Sequence, residues 1–123
     1  TLTITIDREA LISFKSQLSN ETRSLFWNHN SFPCNWTQKG VLCDRLGQRV
    51  TGLNLSGFGL SGHLSPYIGN LSSLQSLQLP NNQLRGVIPD QIGNIFSIKV
   101  LNMSSNMLEG KLPSNITHLN QLQ

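Results

Sequence analysis

An apolar pattern recurs every 24 residues along the second half of the chain. Leu53, Leu77 and Leu101 mark the same position in three successive units. The same phase holds at Leu55/Leu79/Met103, Leu60/Leu84/Leu108, Gly62/Gly86/Gly110, Leu64/Ile88/Leu112, Ile68/Ile92/Ile116 and Leu71/Ile95/Leu119. One unit of this length cannot bury its own apolar edge, so the units must stack into a curved solenoid. Such a scaffold displays a large surface and lacks a pocket-forming core, which indicates a binding function.

The unit reads L-x-x-L-x-L-x-x-N-x-L-x-G-x-I-P-x-x-I-G-N-L, which is the pattern of a leucine-rich repeat. We therefore predict an α/β solenoid with short parallel strands on its concave face. Repeats are expected over residues 50–73, 74–97 and 98–121, with the start of a fourth, and residues 1–49 should cap the first repeat. Inward positions of the strands should be buried: Leu53, Leu55, Leu77, Leu79, Leu101 and Met103.

Each repeat has a characteristic residue after its strand. Asn82 and Asn106 occupy this position in two repeats, and Phe58 replaces the asparagine in the first. A buried asparagine can pair with backbone groups of neighbouring turns, which need such partners because one side of each loop is buried. We expect Phe58 to pack on the cap instead.

The cap is predicted to contain a helix over residues 7–18. Asp7 is a good N-cap, and the apolar residues that follow share one helical stripe: Ala10, Leu11, Phe14 and Leu18. Residues 1–6 alternate threonine with leucine or isoleucine, which favours a short edge strand or a loose leader. Trp27 and Trp36 accompany the cysteines and are expected to fill core.

Cysteines and asparagines indicate the compartment. In a cytosolic protein Cys34 and Cys43 would be weak metal or redox candidates, but no second cysteine or histidine pair completes a zinc site. Six asparagines open N-x-S/T sequons: Asn20, Asn35, Asn54, Asn70, Asn102 and Asn115. A secreted glycoprotein is the economical interpretation. There a Cys34–Cys43 disulfide is stable, and closing the 34–43 loop contributes about 2.5–3 kcal/mol.

Composition excludes several function classes. Charged residues make up 12% of the chain and the net charge is +3 without a basic run, so neither a nucleic-acid nor a membrane-surface footprint is expected. Gly57 to Gly62 matches G-x-G-x-x-G, but the repeat phase explains Gly62 and no helix is expected to follow. His29, His63 and His118 are too scattered for a catalytic or metal set. We expect no enzyme activity, no cofactor and no metal.

Two groups of residues resemble a known family. The segments Asp7-Arg8-Glu9-Ala10-Leu11-Ile12-Ser13-Phe14-Lys15, Trp27-Asn28 and Pro33-Cys34-Asn35-Trp36 with Gly40-Val41 and Cys43 resemble the N-terminal cap of plant leucine-rich-repeat receptor-like kinases. The L-x-G-x-I-P signature is similar to the plant-specific repeat class, as at Leu84, Gly86, Ile88 and Pro89. In detail the chain most resembles the immune-type subgroup. The resemblance implies an extracellular sensor segment of a parent that continues through more repeats, a membrane span and a Ser/Thr kinase.

The family resemblance also implies partners, namely a protein, peptide or glycan ligand and a co-receptor in signalling or defence. Outward residues of the strands are the candidate binding face: Gly52, Asn54, Ser56, Ser76, Gln78, Pro80, Val100, Asn102 and Ser104. Glycans on Asn54 and Asn102 would obstruct that face, which would then place ligand binding in later repeats. The chain would meet a membrane only through segments beyond it, because no apolar stretch here is long enough to span one.

Two further expectations concern the chain as a whole. A short stand-alone secreted protein of the same repeat class, such as an inhibitor of microbial wall-degrading enzymes or an ice-binding protein, is the alternative function. A C-terminal cap with its own cysteine pair would favour it. In the isolated chain, the third repeat is also expected to expose an apolar edge and to self-associate or fray near residues 98–122. That edge comprises Leu101, Met103, Leu108, Leu112 and Leu119.

Overall fold

The computed structural model describes residues 2–18, 27, 30–36, 40–110 and 121–122, with side chains for those between 4 and 110. Within these ranges, one α-helix, α1, spans Leu2–Ser16. Eight strands follow in the described part of the chain: β1 Val41–Cys43, β2 Val50–Asn54, β3 Ser61–His63, β4 Ser76–Gln78, β5 Gln83–Val87, β6 Val100–Asn102, β7 Met107–Glu109 and β8 Gln121–Leu122. Short 3₁₀ helices cover Pro33–Asn35, Pro66–Asn70 and Asp90–Asn94. Each of the last two lies in the connection that leads from one repeat to the next.

The helix begins earlier than the sequence predicts. It starts at Leu2 rather than Asp7 and ends at Ser16 rather than Leu18, so residues 2–6 form neither a strand nor a loose leader. Ile4 is buried and Asp7 is fully buried, which extends the inward stripe of the helix by one turn. The prediction was wrong because a charged residue inside that stripe hides its period of 3.6.

Asp7 is a buried partner of the first repeat instead of an N-cap. Its carboxylate accepts hydrogen bonds of 3.0 Å from Nε and Nη2 of Arg49 and one of 2.8 Å from the Val50 amide. The hydrogen bond with Asp7 raises the pKa of Arg49, burial opposes this, and the charges of Asp7 and Asp44 add to it. The carboxylate therefore joins α1 to the start of β2.

Repeat stacking builds a first sheet in the order β1-β2-β4-β6-β8. The parallel register pairs Leu53 with Leu77 and Leu77 with Leu101, as the 24-residue phase requires. Strand β1 joins the edge antiparallel to β2. The predicted inward positions are confirmed, since all six side chains are between 0% and 7% exposed: Leu53, Leu55, Leu77, Leu79, Leu101 and Met103.

A second sheet, ordered β3-β5-β7, runs beside the first and was not predicted. Its parallel register pairs Gly62 with Leu84 and Gly86 with Leu108. The glycine of the L-x-G-x-I-P signature has a left-handed backbone at every repeat, with φ of 105° at Gly62, 86° at Gly86 and 81° at Gly110. Only glycine adopts this conformation without strain, which explains why it recurs in phase.

Asparagines connect neighbouring repeats as expected. Asn82 Nδ2 donates to the carbonyls of Leu55, Leu79 and Pro80, and its Oδ1 accepts from the Leu60 amide. Asn106 repeats the arrangement one unit later, with its Oδ1 accepting from the amide of Leu84 at 3.1 Å. Each side chain satisfies backbone groups of two repeats, so the loops can be buried without unpaired polar atoms. Phe58, at the same position of the first repeat, packs partly buried against the core.

The cap is held by a disulfide and stacked aromatics. Cys34 and Cys43 are bonded with a Cα–Cα distance of 5.5 Å, which confirms the predicted pairing. Trp27 and Trp36 stack with ring centroids 5.6 Å apart and are 2% and 5% exposed, so both fill core as expected. The rings of Phe14, on α1, and Trp27 have centroids 6.3 Å apart, so the helix is connected to this cluster.

The prediction that the third repeat exposes an apolar edge is wrong for its strand residues. Strand β8 pairs parallel to β6, and Leu101 and Met103 are 1% and 7% exposed. Leu108 is partly buried, while Leu112 and Leu119 lie outside the described residues. Strand β8, whose Leu122 opens the fourth unit, continues the ladder beside β6 by pairing with Val100 and Leu101.

Candidate recognition surface

Two rows of outward side chains cross the first sheet between the buried leucines. The register aligns Gly52, Ser76 and Val100 in one row and Asn54, Gln78 and Asn102 in the other. Ser56 and Ser104 lie two residues further along the chain from Asn54 and Asn102, just beyond the strands. Alternation along each strand turns these residues away from the core, so the sheet places them on one surface.

Two of the predicted residues are buried rather than displayed. At Gly52 an added Cβ would lie 3.2 Å from Leu42, because β1 pairs beside β2 and places Leu42 directly opposite Gly52. The Pro80 carbonyl accepts from the Gly57 amide at 3.1 Å and from Asn82 Nδ2 at 3.1 Å, which places it inside the turn between repeats. We define the recognition surface by the remaining seven residues: Asn54, Ser56, Ser76, Gln78, Val100, Asn102 and Ser104.

Local hydrogen bonds orient the polar side chains of this surface. Asn54 Oδ1 accepts from the Ser56 amide at 3.2 Å. Asn102 Oδ1 accepts from the amide of Ser104 at 3.1 Å and from its hydroxyl at 2.8 Å. Gln78 Nε2 donates to the Ser76 hydroxyl at 3.2 Å. The surface is therefore uncharged and partly pre-organised, which suits recognition by hydrogen bonding rather than by charge.

The hairpin between β1 and β2 adds apolar residues that sequence reasoning missed. Leu42 is 55% exposed at the edge of the recognition surface, and Leu46 is 78% exposed at the turn. The alternation Val41-Leu42-Cys43 was the available signal, since Val41 is fully buried and Leu42 must then face outward. The polar rows thus adjoin an exposed apolar margin.

The six sequons occupy different surroundings. Asn35, Asn54 and Asn70 are exposed and Asn102 is partly buried. Asn20 and Asn115 lie outside the described residues, so the structure places four of the six predicted acceptors. Asn54 and Asn102 lie on the recognition surface, whereas Asn70 ends the 3₁₀ helix Pro66–Asn70 on another side of the repeat.

Other candidates for chemistry find no support in the described part of the chain. Among those residues no group of three histidine, cysteine or acidic side chains could hold a metal ion. His63 is exposed, whereas His29 and His118 lie outside the described residues. The segment Gly57–Gly62 leads into β3 rather than into a helix, which contradicts a nucleotide loop. No described helix is long and apolar enough to cross a membrane.

Comparison with known families matches both parts of the chain. Residues 5–44 match the "Leucine rich repeat N-terminal domain", and residues 73–95 and 97–119 match the "Leucine Rich Repeat". The LRR receptor-like serine/threonine-protein kinase EFR of Arabidopsis thaliana is 52% identical over 79 residues, or 62% of this chain. The probable inactive receptor kinase RLK902 of the same plant is 49% identical over 82 residues, or 65% of this chain. The chain spans 8% of the first relative and 12% of the second.

Solved structures agree with this assignment. The Arabidopsis thaliana BIR3–SERK2 complex includes a chain that superposes with a TM-score of 0.80 at 32% identity, covering 94% of this chain and 66% of that one. The LRR ectodomain of the Arabidopsis thaliana receptor kinase SOBIR1 gives a TM-score of 0.74 at 31% identity, covering 97% and 64%. These matches lie in the repeat-bearing part of the relatives. The chain therefore belongs to the plant leucine-rich-repeat receptor-like kinase family, as an extracellular, non-catalytic ectodomain segment that carries the N-terminal cap.

Proposed function

We propose that this segment contributes to ligand or co-receptor binding by a receptor-like kinase, through the recognition surface of the first sheet. The aligned row Asn54, Gln78 and Asn102 is the observation that carries the proposal. A row of amide side chains at the spacing of parallel strands can hydrogen-bond along an extended peptide or a flat protein surface. The disulfide and the stacked tryptophans keep this surface rigid at one end.

Relatives support the class of partner. The BIR3–SERK2 structure is a complex of two proteins, and one of its chains is 32% identical to this chain. The ectodomain of GASSHO1/SCHENGEN3 was solved with CASPARIAN STRIP INTEGRITY FACTOR 2, again at 32% identity and with 17% of that chain covered. A partner protein or a secreted factor is therefore the occupant we expect. A role in defence rests on the resemblance to the immune-type subgroup and stays a prediction.

The stand-alone alternative gains no functional support from the comparisons. A plant ice-binding protein superposes with a TM-score of 0.62, but at 24% identity the likeness shows the fold alone. The partly exposed polar row alternates with buried leucines in the same way in every leucine-rich repeat, so it does not favour ice over protein. Downstream sequence that encodes a membrane span and kinase would separate the two functions.

A charge placed in the middle of the row tests the proposal. Gln78→Arg introduces a long cation between Asn54 and Asn102, and Gln83→Arg makes the same change at an exposed position of β5 on the second sheet. Binding of the purified SERK2 ectodomain is measured by interferometry. We expect Gln78→Arg to weaken binding about tenfold or more, because an unpaired charge is desolvated, while Gln83→Arg stays within about twofold. Equal effects of the two variants, or no binding by the unmodified protein, would contradict the proposal.

Glycans decide whether the surface is accessible. If Asn54 and Asn102 are both glycosylated, sugars stand on the recognition surface, and ligand binding belongs to later repeats of the parent. Peptide mass mapping of the secreted protein measures occupancy at each site. Full occupancy at both asparagines would restrict this segment to the role of a cap and spacer.

A further inference from the structure

A groove lies along the junction of the cap helix and the first repeat. It encloses about 250 Å³ between α1 and the 3₁₀ helix Pro66–Asn70. Ile6 and Ala10 line it from the helix, and Tyr67 and Asn70 line it from the repeat. Ile6 and Tyr67 are each 53% exposed, so apolar surface remains uncovered at the junction of two structural units.

Asn70 lines this groove and is also the acceptor asparagine of a sequon. It opens Asn70-Leu71-Ser72 and is exposed to solvent at the end of the 3₁₀ helix. Leu71 is fully buried and its amide donates to the Ile68 carbonyl at 3.1 Å, which fixes the backbone beside the acceptor. The attachment point of a sugar is therefore held at the mouth of an apolar groove.

We propose that an N-linked glycan on Asn70 folds back into this groove and packs its first N-acetylglucosamine against Tyr67 and Ile6. A sugar ring presents an apolar C–H face that can lie on an aromatic ring, while its hydroxyl groups stay in water. Tethering at Asn70 raises the local sugar concentration to the millimolar range, so even a weak contact is populated. The glycan then covers the seam between α1 and the first repeat and couples the two.

Tyr67 makes the proposal measurable, because the sequence contains a single tyrosine. The protein is secreted from a glycosylating host and trimmed by an endoglycosidase that leaves one N-acetylglucosamine at each occupied site. Tetranitromethane then nitrates Tyr67 at a rate that reports its accessibility. We expect the one-sugar protein to be nitrated at least about threefold more slowly than Asn70→Gln, which has the same open groove without the sugar.

Asn35→Gln is the matched control. It removes a different exposed sequon, in the 3₁₀ helix Pro33–Asn35. Its Tyr67 should be nitrated as slowly as in the one-sugar protein without a substitution. Release of the whole glycan by an amidase, which converts Asn70 to aspartate, should restore the fast rate in the chain without an engineered substitution. Glycopeptide mapping measures occupancy of Asn70 in the same samples.

Three outcomes would overturn the proposal. The first is an unoccupied Asn70 in the secreted protein. The second is an equal nitration rate with and without the sugar. The third is slow nitration of Asn70→Gln that depends on protein concentration, because that would assign the groove to a second copy of the chain. None of these outcomes bears on the recognition surface, which is tested by partner binding.

Discussion

At the residue scale, the phase of the strands determines which side chains stabilise the solenoid. Leu77 is fully buried, whereas Gln78, the next residue, faces the recognition surface. Leu77→Ala should lower the free energy of unfolding by about 2–5 kcal/mol, since it leaves a cavity between stacked repeats. Gln78→Ala should cost less than about 0.5 kcal/mol. Urea denaturation of both variants tests this, and similar losses would show that the strand phase is wrong.

A second prediction at this scale concerns the buried carboxylate. Asp7→Ala leaves the Val50 amide and the Arg49 guanidinium without their partner, and should cost about 3 kcal/mol. The control is Glu9→Ala, because Glu9 is exposed and its ion pair with Arg8 spans 3.9 Å, so that its loss should cost less than about 0.5 kcal/mol. Equal melting temperatures for the two variants would contradict a structural role for Asp7.

The same ion pair predicts a pH dependence. The pKa of Arg49 is raised in the folded protein, so its contribution to stability is complete below its unfolded pKa and is lost only as pH rises through the folded one. Denaturation of the unmodified protein and of Arg49→Ala at neutral and moderately alkaline pH should therefore differ by a constant amount. A difference that shrinks between neutral pH and the ordinary arginine pKa would contradict this assignment.

At the scale of elements, the disulfide should stabilise the cap more than the repeats. The bond closes a short loop beside the stacked tryptophans, and the double variant Cys34→Ser with Cys43→Ser should lose about 2.5–3 kcal/mol. Thiol titration of the unfolded, non-reduced protein should find no free thiol. Tryptophan fluorescence of the reduced protein should change at lower urea than the signal of the repeat strands, and coincident transitions would contradict a separately weakened cap.

Sequence predicted the elements that follow the repeat and missed those that depend on tertiary contacts. The strands β2, β4 and β6 follow from the phase of Leu53, Leu77 and Leu101, because stacking requires equivalent residues to align. The start of α1 at Leu2 could not be read from residues whose alternation favours a strand. The second sheet has a similar explanation, since its strands contain few β-branched or aromatic residues and the phased glycine disfavours a strand.

The recognition surface was predictable in its rows but not in its limits. Alternation alone identifies Asn54, Gln78 and Asn102 as outward residues. Gly52 is buried because Leu42 of β1 lies opposite it, and β1 comes from the cap, where no repeat guides the prediction. The groove beside Asn70 depends on how α1 packs on the 3₁₀ helix of the first repeat, which is likewise a contact between two separately predicted parts.

At the scale of the whole molecule, stability should fall from the cap toward the last described strands. A solenoid is stabilised by contacts between neighbouring repeats, so a repeat with two well-formed neighbours opens less often than one with a weaker neighbour. Strand β2 pairs with β1 and β4, whereas β6 pairs with β4 and with the two residues of β8. Local opening should therefore occur first around β6.

Hydrogen exchange of the isolated 123-residue polypeptide tests this gradient. Amides of Leu53 to Leu55 should exchange more slowly than those of Leu101 to Met103, because opening near β6 breaks fewer contacts. Self-association near residues 98–122 would protect those amides instead, and light scattering at increasing concentration distinguishes it from fraying. A monodisperse monomer with equal protection at both sites would refute both outcomes, because it would mean that β8 alone supplies what a complete neighbouring repeat supplies to β2.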